Sequence, residues 1–347
     1  MDTEASRFKG GEEGEKALTQ EAGEGGEEGA DADTCLLSFV VESNYAGWRL
    51  DRYLCQKLRR LSRQRVQALI RQQLGPSLKP SSPVKPGMRL EFRRTLPKEP
   101  SVPGPEALQS VFEDEDLLVL NKPAGLPVHP TARYFHHTLV GQLAKRYPSP
   151  PHPAHRLDRE TSGLLLCTKN LEAGRHMARA FAASEVYKEY LAIAEGHPPQ
   201  NHFSIEAPIA EGSPSIRIAV RVVGKGGGPE GGKAATTRVE VLQRFEREGD
   251  PFCLLKCIPL TGRQHQIRVH LQHQGYPLVG DKIYGPDEMY FDRFSKHCLE
   301  PEAWLRLRLP RHALHASLLR FIHPRSLESL CFELPLAEDL RGFLGAL

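Results

Sequence analysis

Asp158 lies in the run His155-Arg156-Leu157-Asp158-Arg159-Glu160-Thr161-Ser162-Gly163, which leads directly into the apolar Leu164-Leu165-Leu166-Cys167. A carboxylate flanked by two arginines stays ionised, because nearby opposite charge favours the charged form. Kept away from water, such a group can act as a nucleophile or a base. A surface ion-pair turn has the same composition, so these nine residues leave both readings open. Position weighs on the first side. The Leu-rich run, bounded by Gly163 and by Lys169-Asn170, reads as a buried strand, which puts Asp158 on the loop at its mouth. Loops held by a rigid scaffold are where chemistry concentrates.

Two further blocks must position that aspartate. Residues 186–194 read as a strand with Lys188 and Tyr190 on one face and Tyr187 on the other. The block from Leu260 to Leu271 predicts a helix starting near Arg263, capped by Thr261 or Gly262, with Ile267 and Leu271 toward the core. Arg268 then falls at the core edge, where a cation needs an anionic partner. His265, His270 and His273 lack the i, i+4 spacing of a zinc helix, so hydrogen-bonding or RNA-facing roles are expected. Residues 113–116, four acids between the strand-like 111–112 and 117–120, read as a solvated hairpin turn rather than a metal site. Cys253 and Cys257 have no second pair at ligand spacing, so no zinc is expected. The glycine-rich 224–232 run lacks the ending of a P-loop and reads as a hairpin tip. Elsewhere, 172–183 predicts a helix, 216–223, 234–242 and 252–259 predict strands, two more strands follow after 313, and a helix closes the chain over 339–347.

The chain of 347 residues carries a net charge of only +3, but unevenly. Residues 1–33 hold eleven acids against Arg7, Lys9 and Lys16, with almost no large apolar side chains, and predict a disordered acidic tail. Residues 49–94 hold thirteen Lys or Arg against Asp51 and Glu91, a local surplus equal to that of everything beyond the tail. Such a concentration suits a nucleic-acid footprint better than a merely solvated face. Here helical spacing of Leu50, Tyr53, Leu54 and Leu58, then Ser62 as an N-cap before Val66, Leu69 and Ile70, predicts two short helices. Their outward positions carry Arg49, Arg52, Arg59, Arg60, Arg63, Arg65 and Arg71, candidates for phosphate contacts. Prolines 97, 100, 103 and 105 predict an extended linker over 95–107. The expected organisation is a tail (1–33), a basic module (34–94), the linker, and a larger domain (108–347). No run reaches the length of a membrane span, the start does not read as a signal peptide, and seven mostly core-embedded cysteines fit reduced thiols. A soluble, cytoplasmic monomer is expected.

The segments 47–54, 61–70 and 84–88 resemble the alpha-L RNA-binding module, departing from it after Leu74, where Gly75-Pro76-Ser77 replaces the usual hairpin. The larger domain resembles the RluA-type pseudouridine synthases: His-Arg-Leu-Asp-x-x-Thr-Ser-Gly at 155–163, Lys-x-Tyr at 188–190, Gly-Arg-x-His-Gln-Ile-Arg-Val-His at 262–270, Gly-Asp-x-x-Tyr-Gly at 280–285 and His-Ala-Leu-His-Ala at 312–316. The resemblance implies an α+β fold: a largely antiparallel mixed sheet with a central RNA cleft, beside a small α/β RNA-binding module. It also implies cofactor-free, metal-free isomerisation of uridine to pseudouridine. Asp158 would be the catalytic aspartate, Arg156 would extrude the target nucleotide and take its place, Tyr190 would stack on the flipped uracil, and Arg268 would pair with Asp158. The attached basic module points to large-subunit ribosomal RNA, with tRNA as the alternative target. Two other readings compete: a non-catalytic RNA-binding or ribosome-assembly factor, and a nucleosidase or glycosidase using Asp158 with Asp281.

Overall fold

The computed structural model describes residues 34–58, 61–74, 77–95, 99–131, 133–212, 218–224 and 231–345. The acidic 1–33 segment, Arg59 and Arg60, Gly75-Pro76 and the centre of the glycine-rich run lie outside the described residues. The chain divides into two compact units at Glu99/Pro100.

In the first unit, strand Arg89–Thr95 lies between Thr34–Val40 and Gln73–Leu74, both antiparallel to it. Helices Leu50–Lys57 and Arg63–Ile70 bury Leu50, Tyr53, Leu54, Val66, Leu69 and Ile70 with Leu90 and Phe92 of the sheet. Ser62 caps the second helix by accepting from the Arg65 N–H. Amphipathic helices of eight residues are marginal alone, so it is this shared burial that holds them.

The second unit is built on a mixed sheet of ten strands among the described residues. Its main path runs Gln109–Glu113, Leu117–Lys122, Ser162–Thr168, Leu314–Ile322, Tyr187–Glu195, Asp250–Pro259, Thr236–Arg247, His202–Glu206. Within this sheet every described pairing is antiparallel except one, Ser162–Thr168 with Leu314–Ile322, which sets His315 beside Ser162 and Ala316 beside Gly163. Leu164, Leu165, Leu166 and Cys167 are all buried, as a strand covered on both faces requires. One row crosses the sheet at that level: Lys122, Gly163, Ala316, Tyr190, Cys257. Tyr190 packs against the apolar clusters of both halves of the sheet. No helix among the described residues is long and apolar enough to cross a membrane.

Several expectations need correction. The helix expected from Arg263 spans Gln266–His273, because the Gln266 side chain folds back to accept from Thr261 Oγ1 and the Arg263 N–H and so holds 261–263 as a loop. Of the strand expected over 216–223, residues 216 and 217 lie outside the described residues, and the described part forms Val220–Val222. From Pro100 onward the expected linker is packed: Val102 lies against the core and the Pro103 carbonyl accepts from Gln142. The acids at 113–116 are not a merely solvated turn, since Glu113 pairs with Lys169, Asp114 with His323, and Glu115 and Asp116 with Arg325. The closing helix expected over 339–347 spans Glu338–Leu344, and residues 346 and 347 lie outside the described residues.

Gly163 is required at the parallel crossing. Its φ is +106°, and a Cβ there would lie 2.2 Å from the Ala316 carbonyl oxygen. Gly163→Ala is therefore expected to lower stability by roughly 2–4 kcal/mol, through strained backbone and a steric clash. The urea midpoint measures it; an unchanged midpoint would mean the two central strands separate freely at this point.

Candidate active site

A cavity of about 810 Å³ opens beside the central row, and its lining includes Arg156, Asp158, Lys188, Tyr190, His265 and Arg268. The loop before Ser162–Thr168 supplies the aspartate, Tyr187–Glu195 the tyrosine, and helix Gln266–His273 the arginine. Arg156 is exposed at its edge.

Arg268 is buried beneath the cavity and organises it. Its Nε and Nη2 donate to the two oxygens of Asp281 at 2.7 and 2.8 Å, while Nη1 donates to Asp158 Oδ2 at 2.9 Å. Asp281 is fully buried, and its Oδ1 also accepts from the backbone N–H groups of Ile283 and Tyr284, so the carboxylate is satisfied within the fold. That argues against Asp281 as a reacting group in a nucleosidase or glycosidase pair. Asp158 keeps 19% of its side chain exposed and leaves Oδ1 outside the Arg268 bond. Burial opposes its charge, but His265 and Arg268 outweigh burial and hold the carboxyl at about 2. Burial pulls His265 itself down to about 4. Above that pH His265 is neutral, so Arg268 is the cation that keeps Asp158 ionised. The Tyr190 phenol is pushed up, first by burial and then by the Asp158 charge, and stays protonated.

The turn presenting Asp158 is fastened through its backbone. The Asp158 carbonyl accepts from the Thr161 N–H, that of Arg159 from the Gly125 N–H and from Lys122 Nζ, and that of Glu160 from Arg311. Lys122 is completely buried and donates to three carbonyls, of Pro123, Leu126 and Arg159. Burial and the Arg311 charge pull its amine down to about 7, yet three acceptors need the three N–H donors that only the ammonium form has. The Thr161 and Ser162 hydroxyls meet His312 and His315.

The structure thus brings Asp158, Tyr190, Arg268 and Arg156 to one cavity. Arg159, left without a role by the sequence, donates to Tyr134 and Glu160 and lies over the rings of Tyr134 and Phe294. His270 is buried between Thr237 and the Ala207 carbonyl, which rules out an RNA-facing role for it. Sequence reasoning missed Asp281 as the second partner of Arg268, and Lys122 and Arg311 as anchors. The Gly280-Asp281 motif was visible; its pairing across thirteen residues was not. In the first unit, Asp51 accepts from Arg49, Arg63 and the Arg52 N–H. The Arg49 bond, and then Arg63, hold its carboxyl at about 2 against burial. Arg52 stacks on Trp48, its guanidinium carbon 4.3 Å from the ring centroid. Arg65 and Arg71 are exposed, while Arg59 and Arg60 lie outside the described residues.

Residues 116–273 match the model of the family described as RNA pseudouridylate synthase. A ribosomal large subunit pseudouridine synthase D of Nitrosomonas europaea is 34% identical over 333 residues, covering 92% of this chain and 90% of its own. A mitochondrial tRNA pseudouridine(32) synthase of Saccharomyces cerevisiae is 38% identical over 189 residues, 54% of this chain and 39% of its own. Among solved structures, human RNA pseudouridylate synthase domain containing 1 aligns with a TM-score of 0.55 at 31% identity, covering 70% of this chain and 89% of that one.

Removing Asp281 would leave a buried cation held by Asp158 alone. Asp281→Ala is expected to cost about 3–5 kcal/mol, as for a buried pair broken on one side, with Asp281→Asn costing less. Because the Asp281 carboxyl lies below its ordinary 3.8 when folded, its stabilisation is complete above that pH and lost as the pH falls through the folded value. The Asn variant should therefore lose less stability than wild type between pH 4 and 2 in urea titrations; parallel curves would show that Asp281 adds no charge-dependent stability.

Proposed function

The chain belongs to the RNA pseudouridylate synthase family and is an RNA pseudouridine synthase, an isomerase; we propose that Asp158 carries its chemistry on a uridine flipped into the cavity. The observation that carries this reading is a single ionised carboxylate in the cavity, held by Arg268 at one oxygen and open at the other. Moving the uracil from an N-glycosidic to a C5 linkage requires a group that handles developing charge at sugar or base with water excluded. The enclosed, arginine-held Asp158 suits that task. A base stacked in RNA is out of reach, so it must be extruded at a cost of a few kcal/mol. Tyr190, on the cavity wall, would return about 1–3 kcal/mol of that by stacking. Arg156, exposed at the edge, is suited to occupy the vacated position.

The target we propose is large-subunit ribosomal RNA, supported by the likeness to the Nitrosomonas europaea enzyme over nine-tenths of both chains. The yeast tRNA enzyme supports tRNA as the alternative, over a shorter stretch. Residues 34–94 would act as an RNA-binding module through the exposed face of Arg49, Arg52, Arg63, Arg65 and Arg71, together with Arg59 and Arg60. The protein would act as a monomer and in a reducing compartment such as the cytoplasm, the second of these supported by the free thiols of the described cysteines.

Asp158→Asn should abolish pseudouridine formation while leaving RNA affinity intact, measured by chemical labelling of pseudouridine and by binding to the same transcript. Turnover retained in that variant would remove Asp158 from its role. For the basic unit, replacing Arg52, Arg65 and Arg71 by Gln should reduce the slope of log affinity against log salt by about 2, at roughly 0.7–0.9 per lost phosphate contact. An unchanged slope would mean that these arginines only solvate the surface.

A further inference from the structure

His265 does not belong to the aspartate, tyrosine and arginine set, yet it is the residue facing the free oxygen of Asp158. Its Nε2 lies 3.7 Å from Asp158 Oδ1, with only 8% of the side chain exposed. Its backbone is left-handed, φ 52° and ψ 18°, at the N-cap of helix Gln266–His273. A left-handed residue other than glycine is uncommon, and such a conformation persists where the surroundings enforce it.

The surroundings also fix where its proton sits. The Tyr284 hydroxyl lies 2.9 Å from His265 Nδ1 and accepts from the Val220 N–H at 2.8 Å. The hydroxyl has one proton to give, and Nδ1 is the acceptor described beside it, while the carboxylate facing Nε2 favours the ring proton there. Burial keeps Tyr284 protonated and His265 neutral above about pH 4. With Nδ1 accepting, the single ring proton of a neutral imidazole is on Nε2, directed at Asp158.

We propose that His265 is a positioning residue for the isomerisation: its Nε2–H engages Asp158 Oδ1 and, with Arg268 on Oδ2, fixes the plane in which the carboxylate meets the bound uridine. At 3.7 Å the contact is longer than a formed hydrogen bond, and catalytic contacts of this kind commonly tighten when substrate closes the site. The groups around Asp158 divide the work. Arg268 holds Oδ2 and the charge, while Tyr190 and His312 add no donor bond to the carboxylate among those described. Among the described hydrogen bonds and ion pairs, His265 alone approaches Oδ1.

The inference rests on Asp158 being the reacting group, and the test separates the two. His265→Asn tolerates the left-handed backbone and reaches Tyr284, but its amide is too short to reach Oδ1. His265→Gln reaches the Nε2 position. Single-turnover and steady-state assays on the full chain should give a kcat reduced about 10–100-fold in the Asn variant, the cost of a misplaced reacting group, with KM within twofold. The Gln variant should recover most of that loss. Tyr284→Phe, which frees the tautomer, should lower kcat less, and adding it to His265→Asn should bring no further loss. Equal rates in wild type and the Asn variant, with Asp158→Asn inactive, would overturn the positioning role alone. A loss of thermal stability with unchanged kcat of the folded fraction would overturn it too. Activity in Asp158→Asn would instead remove the premise.

Discussion

The second unit depends on one buried guanidinium serving two carboxylates. Arg268 gives its two-pronged edge to Asp281 and a single N–H to Asp158. Burying these groups is costly, because ions lose hydration that their mutual attraction repays only when geometry is good. Asp281 meets that condition in full, with further bonds from two backbone amides. Asp158 meets it halfway. The asymmetry makes one acid a fixture and leaves the other with an oxygen outside the arginine's grip, although both touch the same arginine.

Holding a half-satisfied carboxylate at a cavity requires that its turn not move. The parallel crossing supplies the rigidity, since Gly163 lets the strand after the turn lie directly against Ala316. Two buried cations then bind the turn's carbonyls: Lys122 on one side, bonded to carbonyls alone, and Arg311 on the other, which also bonds Ser162 and the Asp339 carboxylate. A cation that donates to peptide carbonyls imposes a backbone path and adds little to the charge balance at Asp158. Glu160 and Lys282 complete the anchorage, with the lysine over Phe294 and Trp304.

The sequence made part of this legible for physical reasons. Local patterns were readable wherever hydrophobic spacing and a cap coincide, as in the Ser62-capped helix and the buried strand after Gly163. The strand order was not, because a parallel contact between residues 153 positions apart leaves no local trace. Arg268 announced itself as a cation in an apolar block, and its need for an anion was foreseeable. That it takes two could not be deduced from spacing, since Asp281 reaches it only through the fold. The helix was placed too early because Gln266 bonds to the preceding loop, and side-chain to backbone competition of that kind has no periodicity. His265 looked like one member of a histidine series, and only its backbone and the hydroxyl of Tyr284 set it apart.

The same residue type serves opposite purposes in the two units. In the first, Arg49 and Arg63 share Asp51 yet keep half or more of their side chains in solvent, and Arg52 is preorganised on Trp48. Such a guanidinium keeps water and counterions within reach, so its interactions are screened by salt. In the second, Arg268 and Arg311 have no solvent to return to, and their bonds are shared with neighbours that would be left unpaired. Substitution there propagates along the turn and is not additive. Interactions of the first set can therefore change in small steps, whereas the geometry set by the second changes as a unit.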